Sequence, residues 1–90
     1  MSNRELKVGE SVTYYDEYGR PRPALCTEIH GKFNYDEEGT LTYAPCINVV
    51  FVCQDAAMRD NYGRQIGRES SVSHRGDTQA HGRFWDYPDA

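Results

Sequence analysis

The chain has 90 residues, the size of one small domain, and a domain of this length buries only about 60% of its unfolded surface. Its seven Tyr, three Phe and one Trp are more aromatic residues than disordered chains usually carry, so we expect a folded protein with a thin core. The formal net charge of -4 argues against generic duplex DNA binding, which needs a cationic surface, and the longest apolar run, 49–53, is too short to cross a membrane.

The first half of the chain predicts two β-hairpins. Residues 10–16 and 24–30 read as short strands, separated by a turn in which Gly19 is free to adopt a positive φ. Residues 33–43 read as a second hairpin with the acidic turn 36–40 at its exposed tip. Gly or Pro falls every few residues, which leaves little room for a helix.

The clearest strand is residues 46–53, where both faces are nearly apolar. Two apolar faces indicate a central strand that is buried on both sides. We expect this strand to form the middle of the core. The residues expected to pack around it are Val12, Tyr14, Leu25 and Ile29.

In the second half of the chain, residues 55–61 are the one helical candidate and would form at most a short helical turn. Residues 65–74 follow as the last long strand. The segment 83–90 is too aromatic for a free end, and we expect it to pack on the barrel or on a partner. The whole pattern predicts an all-β protein with a single domain, 1–90. Its fold should be a small, SH3-like, partly open barrel of about five short antiparallel strands.

Four segments of the chain form a recognisable pattern together with the opening residues 8–29: they are 47–52, 60–66, Ser71-Val72-x-His74 and 80–85. In these segments the chain resembles a group of small accessory proteins encoded by tailed bacteriophages. These proteins are uncharacterised and SH3-like, so the resemblance implies a viral origin and a barrel fold, and it carries over no catalytic residue. It implies a location in the host cytoplasm or in the virion, and three irregularly spaced Cys without a signal peptide also favour a reducing compartment.

His74, Asp77 and His81 are the first candidates for chemistry, because imidazole is a common metal ligand and titrates near neutral pH. Their spacing would align them only on a helix, and Gly76 and Gly82 argue against one. The alternative is that both histidines bind backbone groups in loops. We predict no catalytic residue, with an enzyme that uses His74 or His81 as the weakest hypothesis.

A zinc site is the second candidate, since the chain contains Cys26, His30, Cys46 and Cys53. Structural zinc sites usually draw on closely spaced Cys pairs, and this chain has none. The alternative is that the thiols are small core residues. We predict no metal and no cofactor.

Arginines and aromatic residues in the second half of the chain support two hypotheses on binding. The leading one is a non-enzymatic, phage-encoded protein-binding module whose partner is a second copy, a virion protein or a host protein, and self-association would supplement the small core. Its predicted interface residues are Tyr62, Phe84, Trp85 and Tyr87.

The alternative hypothesis is a protein that binds and sequesters nucleotides or other small anionic ligands (a sponge). In such a protein an Arg side chain binds the phosphate and an aromatic ring stacks on the base. The competing explanation for these arginines is that they are solvated charges in weak ion pairs. The predicted ligand-binding residues are Arg64, Arg68, His74 and His81.

Overall fold

The computed structural model describes residues 5–77 and 82–88, which form short β-strands and one 3-10 turn. Within these residues no helix is long and apolar enough to cross a membrane. The strands are β1 (Ser11–Tyr15), β2 (Pro21–Ile29), β3 (Asn34–Tyr35), β4 (Leu41–Tyr43), β5 (Ile47–Val52), β6 (Arg59–Asp60), β7 (Gly63–Arg64), β8 (Ile66–His74) and β9 (Phe84–Asp86), and the 3-10 turn is Arg75–Asp77.

Five strands form a closed barrel in the order β1-β2-β5-β8-β9, with β9 returning to β1. This confirms the prediction of an all-β, SH3-like barrel, and two details differ from it. The barrel is closed, whereas the sequence suggested a partly open one, and β8 and β9 are parallel. Both differences follow from the aromatic segment: β9 buries Trp85 by pairing with Tyr14 of β1 on one side and His74 of β8 on the other.

The core is centred on Trp85, which is fully buried. Its indole Nε1 donates a hydrogen bond to the carbonyl of Pro45 at 3.3 Å, and its ring makes edge contacts with Phe33 and Tyr87. The other buried members are Leu6, Val12, Tyr14, Ala24, Cys26, Ala44, Ile47, Val49 and Val72. Residues 84–87 are therefore part of the barrel core.

β5 lies between β2 and β8, as expected for a central strand, but only one of its faces is buried. Ile47 and Val49 point inward, whereas Val52 is 47% exposed. The expectation for Leu25 was also wrong, because the neighbouring Ala24 occupies the inner position and Leu25 is 48% exposed. A strand of a closed barrel has one inner and one outer face, so alternate apolar residues of β2 and β5 must face outward.

The helical candidate at 55–61 was wrong. The chain makes a turn and then the β6–β7 arm, in which Arg59 lies opposite Arg64. This arm continues the β5–β8 ladder through a hydrogen bond from the Cys53 N–H to the Gln65 carbonyl, at 2.8 Å. The Asp55 carboxylate accepts the N–H two residues later, and such local bonds compete with a helix.

The two predicted hairpin turns use the same device. Asp16 Oδ1 accepts the N–H groups of the second and fourth residues after it, both at 2.9 Å, and Asp36 Oδ1 does the same in the β3–β4 hairpin. Gly19 and Gly39 have φ values of 77° and 81°, which favour glycine. The sequence Tyr-Asp-Glu-x-Gly, found at both places, thus encodes a self-contained turn.

Candidate functional site

The outer surface of strands β2, β5 and β8 carries a contiguous set of apolar side chains, which we call the outer apolar face: Leu25, Val50, Val52 and Ile66. Leu25 lies opposite Val50, and Val52 lies opposite Ile66, so the four residues form two cross-strand pairs. Leu25, Val52 and Ile66 are 48%, 47% and 58% exposed, and Val50 is half-buried. A solvent-facing barrel surface normally carries polar residues at such positions.

A groove of about 470 Å³ lies beside this face and crosses the same three strands; we call it the bulge groove. Two irregularities in pairing shape it. Thr27 is an extra residue of β2, because Cys26 and Glu28 pair with consecutive residues of β5. β8 places two residues, 70 and 71, opposite one residue of β5. The groove is lined by Thr27, Asn48, Val49, Val50, Arg68, Glu69 and Ser70.

Asn48 links the two bulges. Its Oδ1 accepts the N–H of Ser71 at 2.9 Å and lies 2.8 Å from Nε2 of His30, which donates to it. Ser71 has a φ of 54°, a conformation that is strained for a side chain with a Cβ. A polar side chain near the start of an otherwise apolar strand therefore fixes the geometry of the groove.

The two predicted ligand-binding arginines have different environments. Arg68 is exposed on the wall of the bulge groove and makes no ion pair with any other described residue. The guanidinium of Arg64 donates from Nη1 to the carbonyl of Gln54 at 2.9 Å, at the base of the β6–β7 arm. Arg64 thus stabilises the backbone at Gln54, whereas Arg68 is the cation that faces the groove.

His74 lies elsewhere, beside a separate groove of about 140 Å³ near β4. Its Nδ1 accepts the N–H of Gly76 at 3.2 Å, its Nε2 is 3.4 Å from Oδ1 of Asp86, and its ring meets Trp85 edge-on. The structure therefore does not bring His74 together with Arg68. His81 lies outside the described residues.

Metal ligands do not converge in the part of the chain that the structure describes, where no group of three or more His, Cys, Asp or Glu could hold an ion. Cys26 is buried, and this burial raises the pKa of its thiol. Cys46 and Cys53 are half-buried, and all three thiols are free. The side chain of Asp77 lies outside the described part.

Of the four predicted interface residues, the structure exposes Tyr62 and buries the others. Tyr62 is 99% exposed at the tip of the β6–β7 arm. Phe84, Trp85 and Tyr87 are at most 8% exposed, because their side chains are buried where β9 closes the barrel. The aromatic segment therefore supports the core, and the exposed apolar surface lies on the strands before it.

Comparison with known proteins returned no match: no family model fits the chain, and no curated protein or solved structure is significantly similar to it. The resemblance to phage accessory proteins accordingly stays a prediction.

Sequence reasoning did not identify the outer apolar face, although a signal for it is present. Residues 49–52 are apolar at four consecutive positions, and in a single-layered barrel one alternate pair of these must face outward. The predicted strand 46–53 was expected to be buried on both faces, so no exposed apolar face was predicted. Ile66 lies in the predicted last strand, 65–74, and is 58% exposed.

Proposed function

We propose that this chain is a non-enzymatic protein-binding module of a bacteriophage, which meets a second copy of itself, a virion protein or a host protein through the outer apolar face. The observation that carries the proposal is the pairing of half-exposed aliphatic side chains across adjacent strands, Leu25 with Val50 and Val52 with Ile66. Contiguous apolar surface of this kind is typical of interaction sites.

Covering this face contributes part of the free energy of binding. Fully burying an aliphatic side chain contributes about 1.5–3 kcal/mol, so covering the exposed half of Leu25, Val52 and Ile66 contributes on the order of 1 kcal/mol each. About 3 kcal/mol corresponds to more than a hundredfold in affinity. Arg68 on the groove wall and Tyr62 on the arm are residue types that often dominate binding energy.

A charged substitution on the face tests the proposal. Val52→Lys places an ammonium in the middle of the face, whereas Val8→Lys, at a residue 58% exposed before β1, adds the same charge outside it. Native mass spectrometry reads self-association, and binding to purified virions and to host lysate proteins reads the other partners. We expect Val52→Lys to weaken the association at least about tenfold and Val8→Lys to preserve it.

Two outcomes would contradict the proposal: a wild-type protein that is strictly monomeric and binds nothing, or a Val52→Lys variant that binds as wild type does. Circular dichroism of both variants establishes that they are equally folded.

The second candidate function, binding of nucleotides or other small anions, is favoured by one observation. The lining of the bulge groove includes Arg68, which has no ion pair among the described residues, the hydroxyl residues Thr27 and Ser70, and one carboxylate, that of Glu69. Guanidinium and hydroxyl groups together suit a phosphate. A nucleotide and inorganic phosphate should then raise Tm in wild type and not in Arg68→Gln. An unchanged Tm with every ligand tested would remove this candidate.

A further inference from the structure

In the part of the chain that the structure describes, one edge of β8 lacks a strand neighbour over part of its length, although the barrel is closed elsewhere. On one side, β8 pairs with β5 from Ile66 to Val72. On the other side, β9 pairs only with Ser73 and His74. Among the described residues no strand lies along that second side of residues 66–72, and we call its regular part, 66–70, the β8 open edge.

The hydrogen-bond pattern shows which backbone groups face this edge. Cys53 N–H donates to the carbonyl of Gln65, at the start of the β5–β8 ladder. Directly bonded pairs alternate along an antiparallel ladder, so the residues bonded to β5 are Gly67 and Glu69. The N–H and C=O groups of Ile66 and Arg68 therefore point away from β5, toward the β8 open edge.

The side chains of the β8 open edge have a defined chemistry on each face. On the outer face, Ile66 is apolar and exposed, and Arg68 is an exposed cation without a described carboxylate partner. On the inner face, Gly67 has no side chain and lies against the ring of Phe51, and the carboxylate of Glu69 follows. Such an edge would select a strand by its side chains as well as by its backbone.

We propose that the β8 open edge binds an extended segment of a partner protein by antiparallel strand addition. This inference rests on the proposed function and specifies its partner. The added strand carries an apolar residue opposite Ile66, a large residue opposite Gly67, an acidic residue opposite Arg68 and a basic residue opposite Glu69, because opposed residues share a face and opposite charges stabilise the pair.

A second copy of this chain fits the edge less well. In a symmetric antiparallel pair centred on Arg68 or on Glu69, identical charges lie directly opposite each other, which is destabilising. Centring the pair on Gly67 sets Ile66 opposite the Arg68 of the other copy, so neither side chain finds a matched neighbour. Centring the pair on Ile66 sets Arg68 opposite the Arg64 of the other copy, which again opposes like charges. The charge pattern thus favours a different chain.

Amide hydrogen exchange of the free protein, followed by NMR, tests whether the edge is open. We expect the N–H groups of Ile66 and Arg68 to exchange at least about tenfold faster than those of Gly67 and Glu69, which bond β5. Equal protection of all four would overturn the proposal, because the edge would then already be paired.

Binding is tested with peptides of about eight residues, long enough for one strand, selected from a random displayed library on the wild-type protein. We expect peptides that place an acidic residue two positions from an apolar one, and Arg68→Glu should invert the preference for the acidic residue. Failure to select any peptide, or selection of peptides without this pattern, would overturn the proposal.

A matched pair of variants isolates the backbone contribution. Ile66→Pro removes an N–H that faces the edge and leaves the bonds to β5 in place, whereas Ile66→Ala keeps the N–H and removes more apolar surface. Peptide binding should be at least about tenfold weaker for Ile66→Pro than for Ile66→Ala. Equal binding by two folded variants refutes strand addition, and if the proline variant does not fold, the exchange measurement decides.

The two proposals fail in different ways. If Val52→Lys abolishes association while Ile66→Pro has no effect, protein binding stands and strand addition falls. If neither substitution changes the association, both fall.

Discussion

Replacing Gly67 by Ala tests how tightly β8 packs on β5. An added Cβ would lie 2.5 Å from Cε2 and 2.8 Å from Cζ of Phe51, so the ring must move. Tyr14 stacks on the same ring with a centroid distance of 5.0 Å, which restricts that movement. Overpacking of this kind costs about 1–3 kcal/mol, and Ala in a strand recovers about 0.5–1 kcal/mol relative to Gly. We expect Gly67→Ala to lower the free energy of unfolding by about 1–2 kcal/mol.

A double-mutant cycle separates this clash from the intrinsic effect of glycine. In a Phe51→Ala background the ring is absent, and Gly67→Ala should then stabilise the protein by about 0.5–1 kcal/mol. The coupling energy should therefore be about 1–3 kcal/mol. Urea unfolding of the four proteins, followed by the fluorescence of Trp85, measures it. If Gly67→Ala has the same effect in both backgrounds, Phe51 is not what excludes a side chain at Gly67.

Three further predictions follow from close contacts, strain and burial. Gly82→Ala should cost about 3 kcal/mol or more, because its Cβ would overlap the carbonyl of Asp16, and an unchanged Tm would contradict this. Ser71→Gly should raise stability by about 0.5–1 kcal/mol by relieving its positive φ, which denaturant unfolding measures; a loss of stability would show that the Ser71 side chain is needed. Burial, aided by the Glu69 carboxylate, raises the pKa of Tyr14 from 10.0 to about 12, so its contribution to stability is complete below pH 10.0 and is lost between pH 10.0 and about 12. Alkaline absorbance titration should show this late step in wild type and not in Tyr14→Phe.

The hairpins and the barrel class could be predicted from the sequence because they depend on local signals. Asp16 and Asp36 each bond the N–H groups of their own turn, so the information lies within five residues. Which residues of each strand point into the core was harder to predict than the hairpins. Ala24 and Leu25 are both apolar, and only the closure of the barrel decides which of them points inward.

The candidate site was harder to predict, because its parts meet only in the folded chain. Arg68 was identified as a candidate cation, but the groove it lines depends on bulges in two strands distant in sequence. Phe84 and Trp85, which the sequence suggested as interface residues, are buried in the core. Tyr62 remains an exposed candidate because the arm on which it lies projects beyond the ladder.

The pairing of β9 with β1 has a consequence for the order in which the chain folds. Tyr14 lies opposite Trp85, so closure of the barrel pairs residues that are about 70 positions apart in the sequence. The pairs β1–β2 and β5–β8 are joined by much shorter connections. Contacts of such large sequence separation form slowly. Until they form, β1 as well as β8 exposes an uncovered strand edge, and the partly folded chain is most vulnerable to aggregation in that interval.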